Sequence, residues 1–184
     1  MNLLNLLLDS QNSPAIKQLA ATFGLSEDAA KSAVSEMVPA LSRGLQKNAS
    51  TSQGLEALTG ALSKGNHQRY VDQPESLTNN EAVTDGNAIL GHIFGSKDVS
   101  RQVASHAASA TGLDSGILKK MLPMVATMVM GSMSKQAASS NLPGNLAGGG
   151  DTSGASGLLM QLLDSDKDGS VMDDIIGLAG KFLR

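Results

Sequence analysis

Two stretches of this chain follow one plan. "LAATFGLSEDAAKSAVSEMVPAL" (Leu19 to Leu41) and "AASATGLDSGILKKMLPMV" (Ala107 to Val125) each run from a small, Ala-rich segment through Gly-Leu into a longer segment carrying Met, an aliphatic residue and Pro. Gly24-Leu25 matches Gly112-Leu113, and Met37-Val38-Pro39 matches Met121-Leu122-Pro123. The first copy is longer by four residues, close to one helical turn, so the insertion keeps the same face inward. Glycine at the turn and apolar spacings of three and four on either side read as helix, turn, helix. The expectation is a pair of related helical hairpins, about 16–49 and 100–137.

The rest of the chain agrees with an all-α fold. Nowhere do β-branched and aromatic residues alternate for long, whereas Ala, Leu and Met recur at helical spacing. Helix starts are legible at Ser13-Pro14, at Ser26 before Glu27 and Asp28, at Thr78 with Glu81 as a capping box, at Ser96 or Asp98, and at Asp114. Pro39 and Pro123 fall where the apolar period continues, so a kink or break is expected at each. The methionines Met121, Met124, Met128, Met130 and Met133 read as core filling, with an adaptable partner surface as the other use of such a run.

Composition removes several function classes. There are no cysteines, which excludes disulfides, thiolate zinc sites and cysteine nucleophiles. A net charge of −3 with aromatics at 2% and no basic cluster leaves neither a phosphate-neutralising patch nor a stacking platform for nucleic acid. The opening "MNLLNLLLDSQN" lacks the basic start and cleavage site of a signal peptide, and "MLPMVATMVMGSM" falls short of the ~20 apolar residues of a membrane span. A cytoplasmic location is the default expectation. At 184 residues the chain buries roughly 70% of its unfolded surface, enough for a core without staples.

Three regions follow: a helical core over 1–138, a Gly/Ser-rich linker over 139–157, and a carboxyl-terminal helical hairpin over 158–184. A linker of that composition has an r.m.s. reach on the order of 25 Å. The hairpin is too short to fold alone. Its leucines Leu158, Leu159, Leu162 and Leu163, and the stripe Val171, Ile175, Leu178, Phe182, need a partner surface. That surface is the chain's own core or another copy, and segment exchange of this kind favours a homo-oligomer. "LLNLLLDSQNS" near the start echoes "LLMQLLDSDKDGS" in the tail, with the acids missing from the first copy.

The tail also holds the main candidate site. In "DSDKDGSVMDDI" (Asp164 to Ile175), Asp164, Asp166, Asp168, Gly169, Ser170 and Val171 fill the first ligand and turn positions of a calcium loop. The bidentate acid is missing, because position 12 is Ile175; Asp174, one residue earlier, supplies oxygens if the next helix starts in a different phase. A plainer reading makes Ser170 and Asp173 a capping box with acids favoured by the helix dipole. That reading leaves Asp164, Asp166 and Asp168 crowded without a cation. The expectation is a weak calcium site at Asp164, Asp166, Asp168, Ser170 and Asp174, with affinity on the order of 10⁻⁴ to 10⁻³ M.

No catalytic constellation is expected. His67, His92 and His106 have no acid at ligand spacing, and Ser132 to Lys135 fits S-x-x-K without its companion motifs. The leading expectation is a non-enzymatic interaction or scaffold protein that self-associates, with another protein as the further kind of partner. The alternative is a helical bundle for a small apolar ligand or lipid, its cavity lined by the Met-rich repeat near the prolines.

"DGNAILGHIFGS" (Asp85 to Ser96), "TGLDSGILKKMLPMV" and "LLDSDKDGSVMDDIIGLAGKFL" together resemble the bacterial family catalogued as domain of unknown function 937, related to the YidB-like all-helical proteins. The resemblance runs from about Ile16 onward and implies an all-α fold, with no activity or catalytic residue to carry over. Lys167 departs from the "DxDGDGS" form associated with relatives, which leaves the ligand positions unchanged but makes the loop less negative.

Overall fold

A computed structural model describes residues 3–8, 13–64 and 66–139. The expected linker beyond Ser139 and the expected tail hairpin, with Asp164, Asp166, Asp168, Ser170 and Asp174, lie outside the described residues. Among the described residues the fold is all-α, with no strand. In chain order the helices are α1 (Leu3–Leu8), α2 (Ser13–Phe23), α3 (Glu27–Ala49), α4 (Ser52–Lys64), α5 (Arg69–Asp72), a 3₁₀ helix (Pro74–Thr78), α6 (Asn80–Phe94), α7 (Lys97–Thr111) and α8 (Ser115–Ser139).

The two similar stretches become α2–α3 and α7–α8. Each first helix ends at a glycine with positive φ, Gly24 at 65° and Gly112 at 72°. Only a residue without Cβ adopts that conformation at little cost. The next leucine, Leu25 or Leu113, packs partly buried on the core. A polar cap then opens the long helix. Ser26 Oγ accepts from the Ala29 amide at 3.1 Å, and Asp114 Oδ1 accepts from the Gly116 and Ile117 amides at 2.8 and 3.1 Å. Both long helices run unbroken across their prolines, Pro39 and Pro123.

α8 is the axis of the molecule, in contact with each of α1 to α7. Every residue from Met121 to Ser134 is buried. A helix enclosed on all sides must be apolar all round, which accounts for the Met, Val and Ala run. The methionines fill the core as expected, at about 1.5–3 kcal/mol for each large side chain taken fully from water. Thr127, the buried polar residue near the proline, donates to the Met124 carbonyl at 2.8 Å.

Close helix packing is set by three glycines. A Cβ on Gly86 of α6 would run into the Pro123 carbonyl of α8, and one on Gly131 of α8 would meet the His67 carbonyl at 2.6 Å. A Cβ on Gly44 of α3 would collide with Ile93 of α6. The chain therefore approaches backbone to backbone along α6 and α8, where larger residues would hold the helices apart.

One helix start differs from expectation. Thr78 ends the 3₁₀ helix, its hydroxyl donating to the Glu75 carbonyl at 2.8 Å, and α6 begins after Asn79. Thr78 and Glu81 make no capping box, because Pro74 has already started a tighter turn and Glu81 is engaged by Arg69.

Candidate functional site

Two places in the described residues gather chemistry-bearing side chains. The first lies between α5 and α6. The Tyr70 hydroxyl donates to Asp85 Oδ2 at 2.6 Å and accepts from Arg69 Nη2 at 2.8 Å, and Arg69 also pairs with Glu81 at 2.6 Å. Arg69 lies over the Tyr70 ring, 4.7 Å from its centroid, and His67 stacks on that ring with centroids 6.3 Å apart. Burial, then the bond to Asp85, pushes the Tyr70 phenol up to about 12. Its proton stays in place at ordinary pH, so the group acts as a donor. The Glu81 carboxylate is the main cause that raises Arg69 further above its ordinary value. Burial lowers His67, against the opposing charge of Asp85.

Tyr70 is 1% exposed and its hydroxyl is satisfied on both sides, so it fastens α5 to α6, while the Glu81 carboxylate at the edge of the cluster stays largely exposed. Lys135 of the S-x-x-K match likewise pairs with Asp72, at 2.8 Å, and draws that carboxyl below its usual range.

The second place is an open groove of about 750 Å³ between α3, the end of α6 and α7. Its floor is Ile93, Phe94, Val99 and Val103. Val99 is 37% exposed, one of the large apolar side chains left to solvent. The rim carries Arg43 and Lys47 from α3, and His92 and His106 from α6 and α7, all exposed, with half-buried Glu36. Among the described residues neither Arg43 nor Lys47 is in an ion pair. Asn48 Nδ2 donates to the His92 carbonyl at 2.9 Å and ties the α3 wall to the end of α6. There Gly95, at φ 68°, ends the helix and Ser96 opens α7, accepting from the Val99 amide at 3.3 Å.

The histidines separate accordingly. His92 and His106 stand on the groove rim, while His67 is half-buried beside Tyr70. Among the described residues no group of three or more His, Asp or Glu is placed to hold a metal ion. No described helix is long and apolar enough to cross a membrane. Of the Met-rich run, Met130 lines a recess of about 100 Å³ with Leu58 and Ile89. That volume is below the 300–1,000 Å³ of common ligand pockets.

The "DGNAILGHIFGS" segment now has a physical account. Asp85 holds Tyr70, Gly86 meets Pro123, Ile89, Leu90 and Ile93 enter the core, the His92 carbonyl holds Asn48, and Gly95 and Ser96 make the turn into α7. Among the described residues the protein is an all-helical bundle built around a buried central helix, with open grooves on its flanks.

Its sequence belongs to the family described as bacterial protein of unknown function (DUF937), matched over residues 5–136. The match begins ahead of Ile16 and takes in both helix pairs, but it ends before the Asp-rich tail. No curated protein and no solved structure matches the chain.

Proposed function

We propose that this is a non-enzymatic bacterial interaction or scaffold protein that self-associates, its carboxyl-terminal loop holding calcium weakly. The groove between α3, α6 and α7 supports the reading most. Its apolar floor and dispersed basic rim suit adhesion to an amphipathic segment, with polar groups spread around the edge instead of converging on one reacting atom. The tail supplies apolar stripes that need such a surface. Light scattering on the full chain and on a chain ending at Ser139 tests association. A mass that rises with concentration only when the tail is present is expected; monomers in both cases reject it. For the loop, isothermal titration with calcium should show millimolar-range binding that Asp166→Ala abolishes, and no heat at millimolar ion removes the site.

A second reading draws on the same groove. Its volume lies within the range of small-ligand sites, and Arg43 with Lys47 would face an anionic head while an acyl chain lay on Phe94 and Val103. Native mass spectrometry that finds co-purified lipid would favour it.

A further inference from the structure

We infer that the groove of α3, α6 and α7 is the seat of the chain's own residues 170–182. The inference rests on the proposed associating role of the tail and names the surface that receives it.

Length, charge and reach point the same way. The α3 wall of the groove extends from Glu36 to Asn48, ~18 Å at helical rise. The stripe from Val171 to Phe182 needs ~17 Å at the same rise, with anchors at i, i+4, i+7 and i+11, the spacing of a helix laid in a groove. Six of the chain's 17 acids and three of its 14 basic residues follow Ser139, so residues 140–184 carry the whole net charge of −3 and the preceding part is neutral. At helical spacing Asp174 and Lys181 share one edge of the apolar stripe, seven residues apart, and on the groove rim Glu36 and Arg43 stand seven residues apart, with Arg43 and Lys47 in no ion pair among the described residues. Asp174 set against Arg43 and Lys47, with Lys181 toward Glu36, makes the two margins complementary in an antiparallel arrangement.

Reach decides which copy supplies the segment. A Gly/Ser-rich connection such as 139–157 spans on the order of 25 Å, which keeps the tail near its own core at millimolar effective concentration. The seat is filled in the single chain first. Exchange of the same contact between neighbours then gives association without any new interface.

The chain has no cysteine, so introduced pairs report the contact directly. In dilute full-length protein under mild oxidation, Val99→Cys with Leu178→Cys should form an intrachain disulfide. Thr22→Cys, at an exposed position on α2, which contributes nothing to the groove, serves as control with the same tail change and should stay reduced. Arg43→Glu with Lys47→Glu should lower the Val99 cross-link yield about tenfold, and adding Asp174→Lys should recover much of it. Equal oxidation of the two pairs, or a yield untouched by charge reversal, overturns the assignment. The two proposals fail separately. Tail-dependent mass without a groove cross-link leaves self-association standing and removes this seat; a cross-link in a chain monomeric at every concentration does the reverse.

Discussion

The pairs α2–α3 and α7–α8 share a turn and differ in what surrounds them. Both pass through a left-handed glycine, a half-buried leucine and a polar cap. Yet α3 alternates buried positions such as Val34, Met37 and Leu41 with exposed Ser32, Arg43 and Lys47, whereas α8 is buried without interruption from Met121 to Ser134. The turn is settled by local chemistry, and the burial is settled by position in the bundle. α3 lies on the flank and keeps a polar face, which becomes a groove wall. α8 lies at the centre and has no face to spare.

Placing a charge on each long helix should separate them most. Ala126→Glu in α8 strands a carboxylate among apolar neighbours and should cost about 4 kcal/mol or more, while Ser32→Glu in α3 should stay within about 0.5 kcal/mol. Urea denaturation of both measures the gap, and similar midpoints would dissolve the distinction. A smaller contrast lies on α6. Gly86→Ala drives a methyl group into the Pro123 backbone and should cost about 3 kcal/mol, whereas Gly91→Ala enters open space and should stabilise by about 0.5–1 kcal/mol.

The likeness between the pairs is open to a finer measurement. Gly24→Ala and Gly112→Ala should each cost about 1 kcal/mol, since both force a side chain into positive φ with no neighbour in the way. Thermal melts that differed widely would mean that the shared turn is carried differently in the two copies. The smallest expected effect concerns pH. His67, whose carbonyl meets Gly131 of α8, has its imidazole pKa lowered by burial, so the unfolded chain binds a proton that the folded one resists. Its contribution is complete above about pH 6.5 and is lost as the pH falls through the lowered value. Denaturation midpoints at pH 7.5 and 5.5 should differ less in His67→Gln than in the parent.

Features written within a few residues were legible in the sequence. Ser26, Ser96 and Asp114 cap helices because the cap bonds span two or three residues, and Gly24 and Gly112 turn the chain by their own backbone freedom. The capping box read at Thr78 and Glu81 failed because Arg69, twelve residues earlier, takes the Glu81 carboxylate. The Tyr70–Asp85 bond gave no local signal, since its partners stand fifteen apart on different helices. The groove was equally hidden: it is assembled from α3, α6 and α7, and no period along one helix announces a surface shared by three. The calcium loop remains a reading of residue types at Asp164 to Asp174.

Tyr70 is the chain's single tyrosine, and there is no tryptophan. Because its phenol is buried, bonded to Asp85 and covered by Arg69, its ultraviolet absorption and emission report on one joint, where α5 meets α6. The protein thus carries a built-in optical gauge. Opening of that joint can be followed in unlabelled material and timed against loss of total helix, which shows whether the bundle comes apart at once or begins there.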